Sequence, residues 1–313
     1  MNLSDSQRIA TKLEEIGYKS APEKEADLVV VNACSIRQHA VDRIWGGIKN
    51  WKKAGKKIII TGCVVKKDQK MLAEKDIEFI ETKNFINFSI VPKMSGKTAF
   101  ITIMTGCDNF CSYCAVPYTR GREASRPIDD VIADVKNAID NGYQDILLLG
   151  QNVNSYKFGF AKLLKTIDNL PGDFSFNFMS SNPHDMTDEI IKTFSELKKW
   201  PRELHLPMQS GDDIILKKMN RKYTSAQYLK LIENLKLKIE NLVLTTDIIV
   251  GFPGETKTQF NNTAKLCKKI GFKKAFIGQY SPRPGTVSSK MKDDVSKNEK
   301  KRRWLVLNKL INE

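Results

Sequence analysis

Three cysteines in the stretch Gly106-Cys107-Asp108-Asn109-Phe110-Cys111-Ser112-Tyr113-Cys114 follow a C-x3-C-x2-C spacing. Thiolates are the soft ligands that iron–sulfur clusters take, and offsets of four and three residues let one tight loop wrap a cluster. Three thiolates hold three corners of a cubane and leave the fourth iron without a protein ligand, which makes that iron a place for chemistry. A zinc site and buried free cysteines are the competing readings. Structural zinc takes a fourth ligand, and the closest histidines along the chain, His39 and His184, are remote. Chance clustering is the weakest reading, because half of the six cysteines fall within eight consecutive residues.

Two further cysteines end apolar segments. Leu28 to Val31 leads into Cys34, and Ile58 to Thr61 leads into Cys63. Read as strands of an open parallel sheet, their carboxyl ends share the crevice where ligands bind, so Cys34 and Cys63 can converge. A helix around Ala40 to Ala54 separates them. An earlier helix is expected to be capped by Ser4 or Asp5, to carry Ile9, Leu13 and Ile16 at helical spacing, and to stop at Gly17. Lys83 to Thr98, with Pro92 and Gly96, reads as a linker.

Beyond it six candidate strands alternate with helical patterns or turns: Ala99 to Met104, Asp145 to Leu149, Phe174 to Met179, Glu203 to Leu206, Leu244 to Val250 and Ala275 to Gln279. Asp129 to Asn141, Tyr228 to Ile239 and Thr256 to Ile270 have helical periodicity. Repeated βα units imply parallel strands with right-handed crossovers. The expected fold is therefore α/β: an N-terminal parallel α/β sandwich over residues 1–90, then a partial (β/α)6 barrel over 91–285. A basic helix follows over 286–313, holding Lys297, Lys300, Lys301, Arg302 and Arg303. The cysteine loop directly follows the first barrel strand, on the carboxyl-terminal face where barrel enzymes place their chemistry.

With 313 residues and 41% hydrophobic content the chain can bury a sizeable core. No apolar run approaches the roughly 20 residues of a membrane span, and the amino terminus lacks the layout of a secretory signal, so a cytoplasmic protein is expected. Cysteine usage fits metal ligation in a reducing compartment rather than a disulfide framework. A formal charge of +15, from 51 Lys and Arg against 36 Asp and Glu, makes an anionic partner plausible, nucleic acid first, although a Lys-rich composition also arises without one.

An open iron at a partly dry barrel mouth can chelate the amino and carboxylate groups of S-adenosylmethionine, and an electron from the reduced cluster then breaks a carbon–sulfur bond to give a 5′-deoxyadenosyl radical. Loops at later strand ends offer the supporting contacts. Gln151 and Asn152 follow one strand, Gln209 another, and Gly251 and Glu255 a third; the amides bring paired donors and acceptors, and the glycine permits close backbone approach. Singly each is an ordinary βα turn; together they form a candidate cofactor site.

The run Gly106 to Glu123 resembles the signature of the radical S-adenosylmethionine methylthiotransferases, closest to the branch acting on isopentenyl-adenosine in tRNA. Asn32-Ala33-Cys34-Ser35-Ile36-Arg37, Thr61-Gly62-Cys63-Val64, His205 to Gly211, Gly251 to Glu255 and Tyr280 to Gly285 agree, and the resemblance covers essentially the whole chain. It implies two [4Fe-4S] clusters, one at Cys107, Cys111 and Cys114 that binds and cleaves S-adenosylmethionine. The other, held by three cysteines of the amino-terminal domain, accepts a methyl group on sulfur and delivers methylthio to carbon 2 of the adenosine beside the anticodon. Two S-adenosylmethionine molecules are used per product, one as methyl donor and one as radical source. The implied partners are the tRNA anticodon stem-loop and an electron donor such as flavodoxin or ferredoxin, with the enzyme a monomer. Cys34 and Cys63 match two of the three second-cluster positions. Family members carry the third cysteine just before a Met-Asn-x-x-Asp-Ser segment, where this sequence has Met1 to Ser6, and add a small all-β RNA-binding domain after the barrel. The resemblance thus leads one to expect cleavage of S-adenosylmethionine with impaired methylthiolation.

Within the same chemistry, the alternatives are threonylcarbamoyl-adenosine of tRNA or an aspartate of a ribosomal protein as substrate; outside it, a catalytically incomplete, non-enzymatic remnant. Arg120, Arg122 and Arg126 read as a basic loop that could meet phosphate or the substrate base. Cys267 shares the apolar phase of Phe260 and Ala264 and reads as core. His39, His184 and His205 read as structural, Phe110 and Tyr113 as shields of the cluster, and Lys52, Lys53, Lys56 and Lys57 as surface.

Overall fold

The computed structural model describes residues 1–34, 38–85 and 97–313, with the side chains of all but Gln38 and His39. Ser35-Ile36-Arg37 of the second cysteine motif, most of the expected linker with Pro92 and Gly96, and the His39 side chain lie outside the described residues. The chain forms two compact units. One comprises Met1–Gly96, Cys114–Gly121 and Arg283–Gly285; the other comprises Lys97–Tyr113, Arg122–Pro282 and Thr286–Glu313.

In the first unit the elements run α1 (Asn2–Glu15), β1 (Leu28–Cys34), α2 (Gln38–Lys53), β2 (Lys57–Cys63), α3 (Lys66–Ala73), β3 (Glu78–Phe79) and α4 (Thr82–Phe85). The strands form a parallel sheet in the order β1-β2-β3. A parallel sheet covered by helices needs near-continuous apolar runs, and Ile58, Ile59 and Ile60 of β2 supply one, all buried. One face packs Ile48, Leu72 and Ile77 with Ala33, Ile58 and Ile60, and Ile9 of α1 packs with Val30 and Leu13 elsewhere. Helix α1 begins earlier than the capping signal suggests. Met1 is its N-cap, and Ser4 and Asp5 lie buried inside its first turns rather than ahead of them. Each has a side-chain partner that makes burial tolerable: Ser4 Oγ accepts from Arg8, and Asp5 pairs with Arg120.

In the second unit β4 (Thr98–Thr102) leads to β5 (Met104–Thr105) and the cysteine loop. The chain passes α5 (Val116–Thr119), which belongs to the first unit, and returns through β6 (Ala124–Ser125), antiparallel to β5. There follow α6 (Ile128–Asp140), β7 (Asp145–Leu149), α7 (Phe160–Asp168), β8 (Ser175–Phe178), α8 (Asp188–Glu196), β9 (Glu203–His205), α9 (Asp213–Lys218), α10 (Ser225–Lys238), β10 (Val243–Val250), α11 (Lys257–Ile270), β11 (Lys274–Gln279) and α12 (Lys297–Ile311). The six strands β4, β7, β8, β9, β10 and β11 are those expected from the sequence. They pair in parallel as two three-stranded sheets, β4-β7-β8 and β11-β10-β9, and among the described residues no ladder joins β8 to β9. The barrel is thus incomplete. Local signals fix the helix starts: Thr224 with Gln227 and Thr256 with Gln259 form capping boxes on α10 and α11, and Gly271 ends α11 in the left-handed conformation.

Helix α12 is an integral part of this unit. Lys300 and Arg303 are buried, pairing with Asp293 and Glu255, and Trp304 Nε1 donates to the Ile277 carbonyl of β11.

Candidate active site

The loop after β5 starts at Gly106, whose φ of +75° suits glycine and whose N–H donates to Gln151 Oε1 at 2.6 Å. Gln151 follows β7, so one expected site residue anchors the start of the cysteine loop. The loop's other supports come from the end of α9 and the turn beyond it. Asn220, in the left-handed region at φ +56°, donates from Nδ2 to the carbonyls of Asn109 and Phe110. Ser112 donates from N to the Met219 carbonyl and from Oγ to that of Lys218, and its own carbonyl accepts from Ser288 N. Tyr113 packs inward against Ile215, Met219, Phe252 and Tyr280. Asp108 accepts from Glu123 N and pairs with Arg122.

Cys107 and Cys111 are half-buried in this frame. Burial pushes the Cys107 thiol up, while hydrogen bonds from Asn109 oppose the shift. Cys111 Sγ accepts from Arg221 Nη1 at 3.5 Å. The same guanidinium donates from Nε to Tyr223 Oη at 2.9 Å and from Nη2 to the Pro207 carbonyl at 3.1 Å. Nothing in the sequence around Arg221 and Asn220 marks them as partners of the cysteine loop. An Asn just past a helix end does signal a left-handed cap, but nothing local links it to a loop 110 residues earlier.

Three buried side-chain oxygens just past consecutive strands have no hydrogen-bond partner: Asn152 Oδ1 after β7, Ser181 Oγ after β8 and Gln209 Oε1 after β9. Buried acceptors normally have donors, so these ends fit a ligand that brings amino and hydroxyl groups, as S-adenosylmethionine does. Asn152 is oriented by donating from Nδ2 to Asp185 Oδ2 at 2.7 Å, and Gln209 is held at φ +66° by a bridge to Ile248 of β10. Gly251 and Glu255 differ. The Glu255 carboxylate accepts from Gly251 N and from Arg303 Nη1, each at 2.6 Å, so its partners are inside the framework. A Cβ on Gly251 would lie 2.3 Å from Lys300 Cγ, and its φ of +70° also favours glycine, so packing against α12 and backbone shape both account for the residue.

In the first unit Cys34 and Cys63 are register partners at the ends of β1 and β2. Gly62, at φ +93°, lets the strands approach: a Cβ there would lie 2.4 Å from the Ala33 carbonyl oxygen. Cys63 is buried, which raises its pKa, and Arg120 works in the other direction. Arg120 lies near the end of the segment Cys114–Gly121, and α5 within that segment lies against β2. The basic loop expected after the cysteines is therefore not free to meet phosphate as a group. Arg120 is engaged with Asp5 and Cys63, Arg126 is buried and pairs with Asp134, and Arg122 is the exposed member.

Among the described residues no three Cys, His, Asp or Glu side chains converge closely enough to hold one metal ion. A cubane takes one thiolate per iron, so its ligands need not converge on a point. Cys267 is buried in the core and its thiol is pushed up to about 12 by burial, which makes it inert. His205 bonds Thr245 and Asp247 on its own sheet, and His184 N is capped by Asn182.

Residues 101–267 match the model of the Radical SAM superfamily, and residues 1–80 match that of Uncharacterized protein family UPF0004. Over 356 aligned residues the chain is 38% identical to a tRNA-2-methylthio-N(6)-dimethylallyladenosine synthase of Clostridium tetani, covering all of this chain and 79% of that protein. The synthase of the same name from Buchnera aphidicola is also 38% identical, with 100% and 81% covered. Among solved structures, the radical S-adenosylmethionine methyltransferase TsrM of Kitasatospora setae, with cobalamin and a [4Fe-4S] cluster bound, aligns with a TM-score of 0.65 at 12% identity. That alignment covers 91% of this chain and 73% of TsrM. Coproporphyrinogen III oxidase of Escherichia coli, a radical SAM enzyme, aligns with a TM-score of 0.51 at 14% identity over 68% of this chain and 51% of its own. These two likenesses establish the fold.

Proposed function

Because the chain belongs to the radical S-adenosylmethionine family of tRNA-2-methylthio-N6-dimethylallyladenosine synthases, we propose that Cys107, Cys111 and Cys114 hold the [4Fe-4S] cluster of that chemistry. The enzyme adds a methylthio group to carbon 2 of isopentenyl-adenosine next to the anticodon in tRNA. When bound, the cluster supplies the electron that breaks a carbon–sulfur bond of S-adenosylmethionine. The carrying observation is the docking of the cysteine loop: Asn220, Ser112 and Gln151 fix its backbone from three sides. A preformed loop lowers the entropic cost of placing thiolates.

The side chains then divide the work. Gln151 holds the loop entrance, and Asn152 and Gln209 offer buried acceptors to the nucleotide's amino and hydroxyl groups. Glu255, tied to Gly251 and Arg303, keeps the turn after β10 in shape. Tyr113 and Phe252 place apolar surface behind the loop and help exclude water, which would quench a radical. Cys34 and Cys63, side by side at the ends of β1 and β2, would supply two thiolate ligands to a second cluster. The net charge of +15 favours an RNA substrate, and the anticodon stem-loop is its recognised part. A flavodoxin or ferredoxin donates the electrons, the enzyme acts as a monomer, and it works in the cytoplasm; among the described residues no helix is long and apolar enough to cross a membrane.

Anaerobic reconstitution with iron and sulfide, followed by dithionite and S-adenosylmethionine, tests the reading. The expected product is 5′-deoxyadenosine, together with loss of the 2-methylthio nucleoside from tRNA of a deletion strain. An intact nucleoside profile in that strain would refute the substrate.

A further inference from the structure

The paired arginines of this fold set a pattern that Arg221 breaks. Arg120 pairs with Asp5, Arg126 with Asp134 and Arg303 with Glu255. Arg221 is half-buried, as Arg120 is, yet among the described residues it forms no ion pair with a carboxylate. Its partners are a neutral phenol, a backbone carbonyl and the sulfur of Cys111. A guanidinium withdrawn from water is costly unless an anion compensates it. The one partner that becomes anionic is Cys111, as a thiolate carrying a cluster.

We propose that Arg221 is a positioning residue that sets the reduction potential of the cluster, its fixed positive charge and N–H···S bond at Cys111 stabilising the site after it gains an electron. This rests on the assignment of Cys107, Cys111 and Cys114 as cluster ligands. The step is a one-electron reduction of the cluster by a low-potential donor, dithionite in the test or a flavodoxin-class protein, with no proton taken up. Reduction adds one negative charge to the cluster, and hydrogen bonds to ligand sulfurs and nearby charge are among the levers that set such potentials. The guanidinium is held for this role from two other directions: Tyr223 Oη receives its Nε–H and in turn donates to the Met208 carbonyl, and the Tyr223 ring lies 5.1 Å from the guanidinium carbon. Arginine's planar fork makes such simultaneous contacts possible where lysine's single ammonium does not.

The test uses the full chain in a Cys34→Ala/Cys63→Ala background, so that a single cluster titrates, and compares it with Arg221→Lys and Arg221→Met. Iron and sulfide per chain and an EPR-monitored redox titration are measured without S-adenosylmethionine. The expected result is full iron in all three, with reduction of Arg221→Met at least tenfold less favourable, a midpoint lower by about 59 mV for one electron, and Arg221→Lys between. An unmoved midpoint in fully loaded Arg221→Met overturns the proposal. So does loss of iron from both variants, which would make Arg221 a support of the loop alone. A parent protein that binds no iron would sink the ligand assignment beneath it, a failure visible before any variant is compared.

Discussion

Arg120 Nε lies 2.9 Å from Cys63 Sγ, and the same guanidinium reaches Asp5 Oδ2 at 2.7 Å and Asn2 Oδ1 at 3.1 Å through Nη2. One residue of the segment that begins at Cys114 therefore fixes a cysteine of the β1-β2 sheet and the first turns of α1 together. Both members of the Arg120–Asp5 pair are nearly excluded from solvent, at 9% and 6% exposure, so screening is slight.

Removing one partner of such a pair leaves an uncompensated buried charge and costs about 3–5 kcal/mol. Arg120→Ala is expected to lose that much in urea unfolding, and adding Asp5→Asn should recover part of it, because no charge is then left behind. A double variant as unstable as Arg120→Ala would show that the pair is not the source.

Gly62→Ala probes the approach of the two strand ends. The new Cβ would overlap the Ala33 carbonyl at 2.4 Å and would hold a non-glycine residue at φ +93°. Backbone strain of this kind costs about 1–3 kcal/mol before any clash is counted. The melting temperature should fall, and iron bound in a Cys107→Ala/Cys111→Ala/Cys114→Ala background should fall with it, because Cys34 and Cys63 lose register. Unchanged iron in that background would separate the glycine from the metal site.

Single replacements at Cys107, Cys111 or Cys114 should abolish 5′-deoxyadenosine formation. Cys267→Ala should leave iron content and turnover intact and cost about 1 kcal/mol, as a core substitution does. Loss of turnover in Cys267→Ala without loss of stability would contradict its place in the core.

Local features were legible in the sequence because local chemistry causes them. The C-x3-C-x2-C loop, the six barrel strands and the runs ending in Cys34 and Cys63 all announce themselves within a few residues. The ties between distant positions were not legible. Arg120 meets a sulfur 57 residues away and Arg221 one 110 residues away, and no periodicity encodes such pairings. The same limit explains Gly251 and Glu255: glycine beside a strand end suggests room for a ligand, and only the packed position of α12 shows that Lys300 and Arg303 occupy it. Ser4 and Asp5 look like caps because their type favours caps; their buried partners outweigh that preference.

Helix α12 itself should weaken in acid, because Glu299 pairs within it with Arg302 and Arg303. Hydrogen bonds from Arg302 and Arg303 lower the Glu299 carboxyl to about 2, against about 4.3 in an unfolded chain. A depressed folded value means that the stabilisation is present in full above the unfolded value and is lost as pH falls from about 4.3 toward 2. Glu299 is partly exposed, so screening limits the effect to about 0.5–1 kcal/mol. Urea unfolding of Glu299→Gln should match the parent near pH 2 and fall below it at pH 6, with the gap narrowing in high salt. A constant gap across this range would assign the loss to packing instead.

Asn220 offers a test that separates backbone shape from hydrogen bonding at the cysteine loop. Its φ of +56° is costly for most residues, and its Nδ2 donates to the Asn109 and Phe110 carbonyls at 3.2 and 3.0 Å. Asn220→Gly keeps the left-handed backbone and deletes both bonds; Asn220→Ala deletes the bonds and adds strain of about 1 kcal/mol or more. Each exposed bond contributes about 0.5–1 kcal/mol, so both variants should fold. If the side chain holds the loop in place for the cluster, the two should lose iron at similarly increased rates under a chelator, with the alanine variant alone less stable to urea than the glycine variant. If the loop is held instead by Ser112, Gln151 and the packing of Tyr113, the glycine variant should release iron at the parental rate.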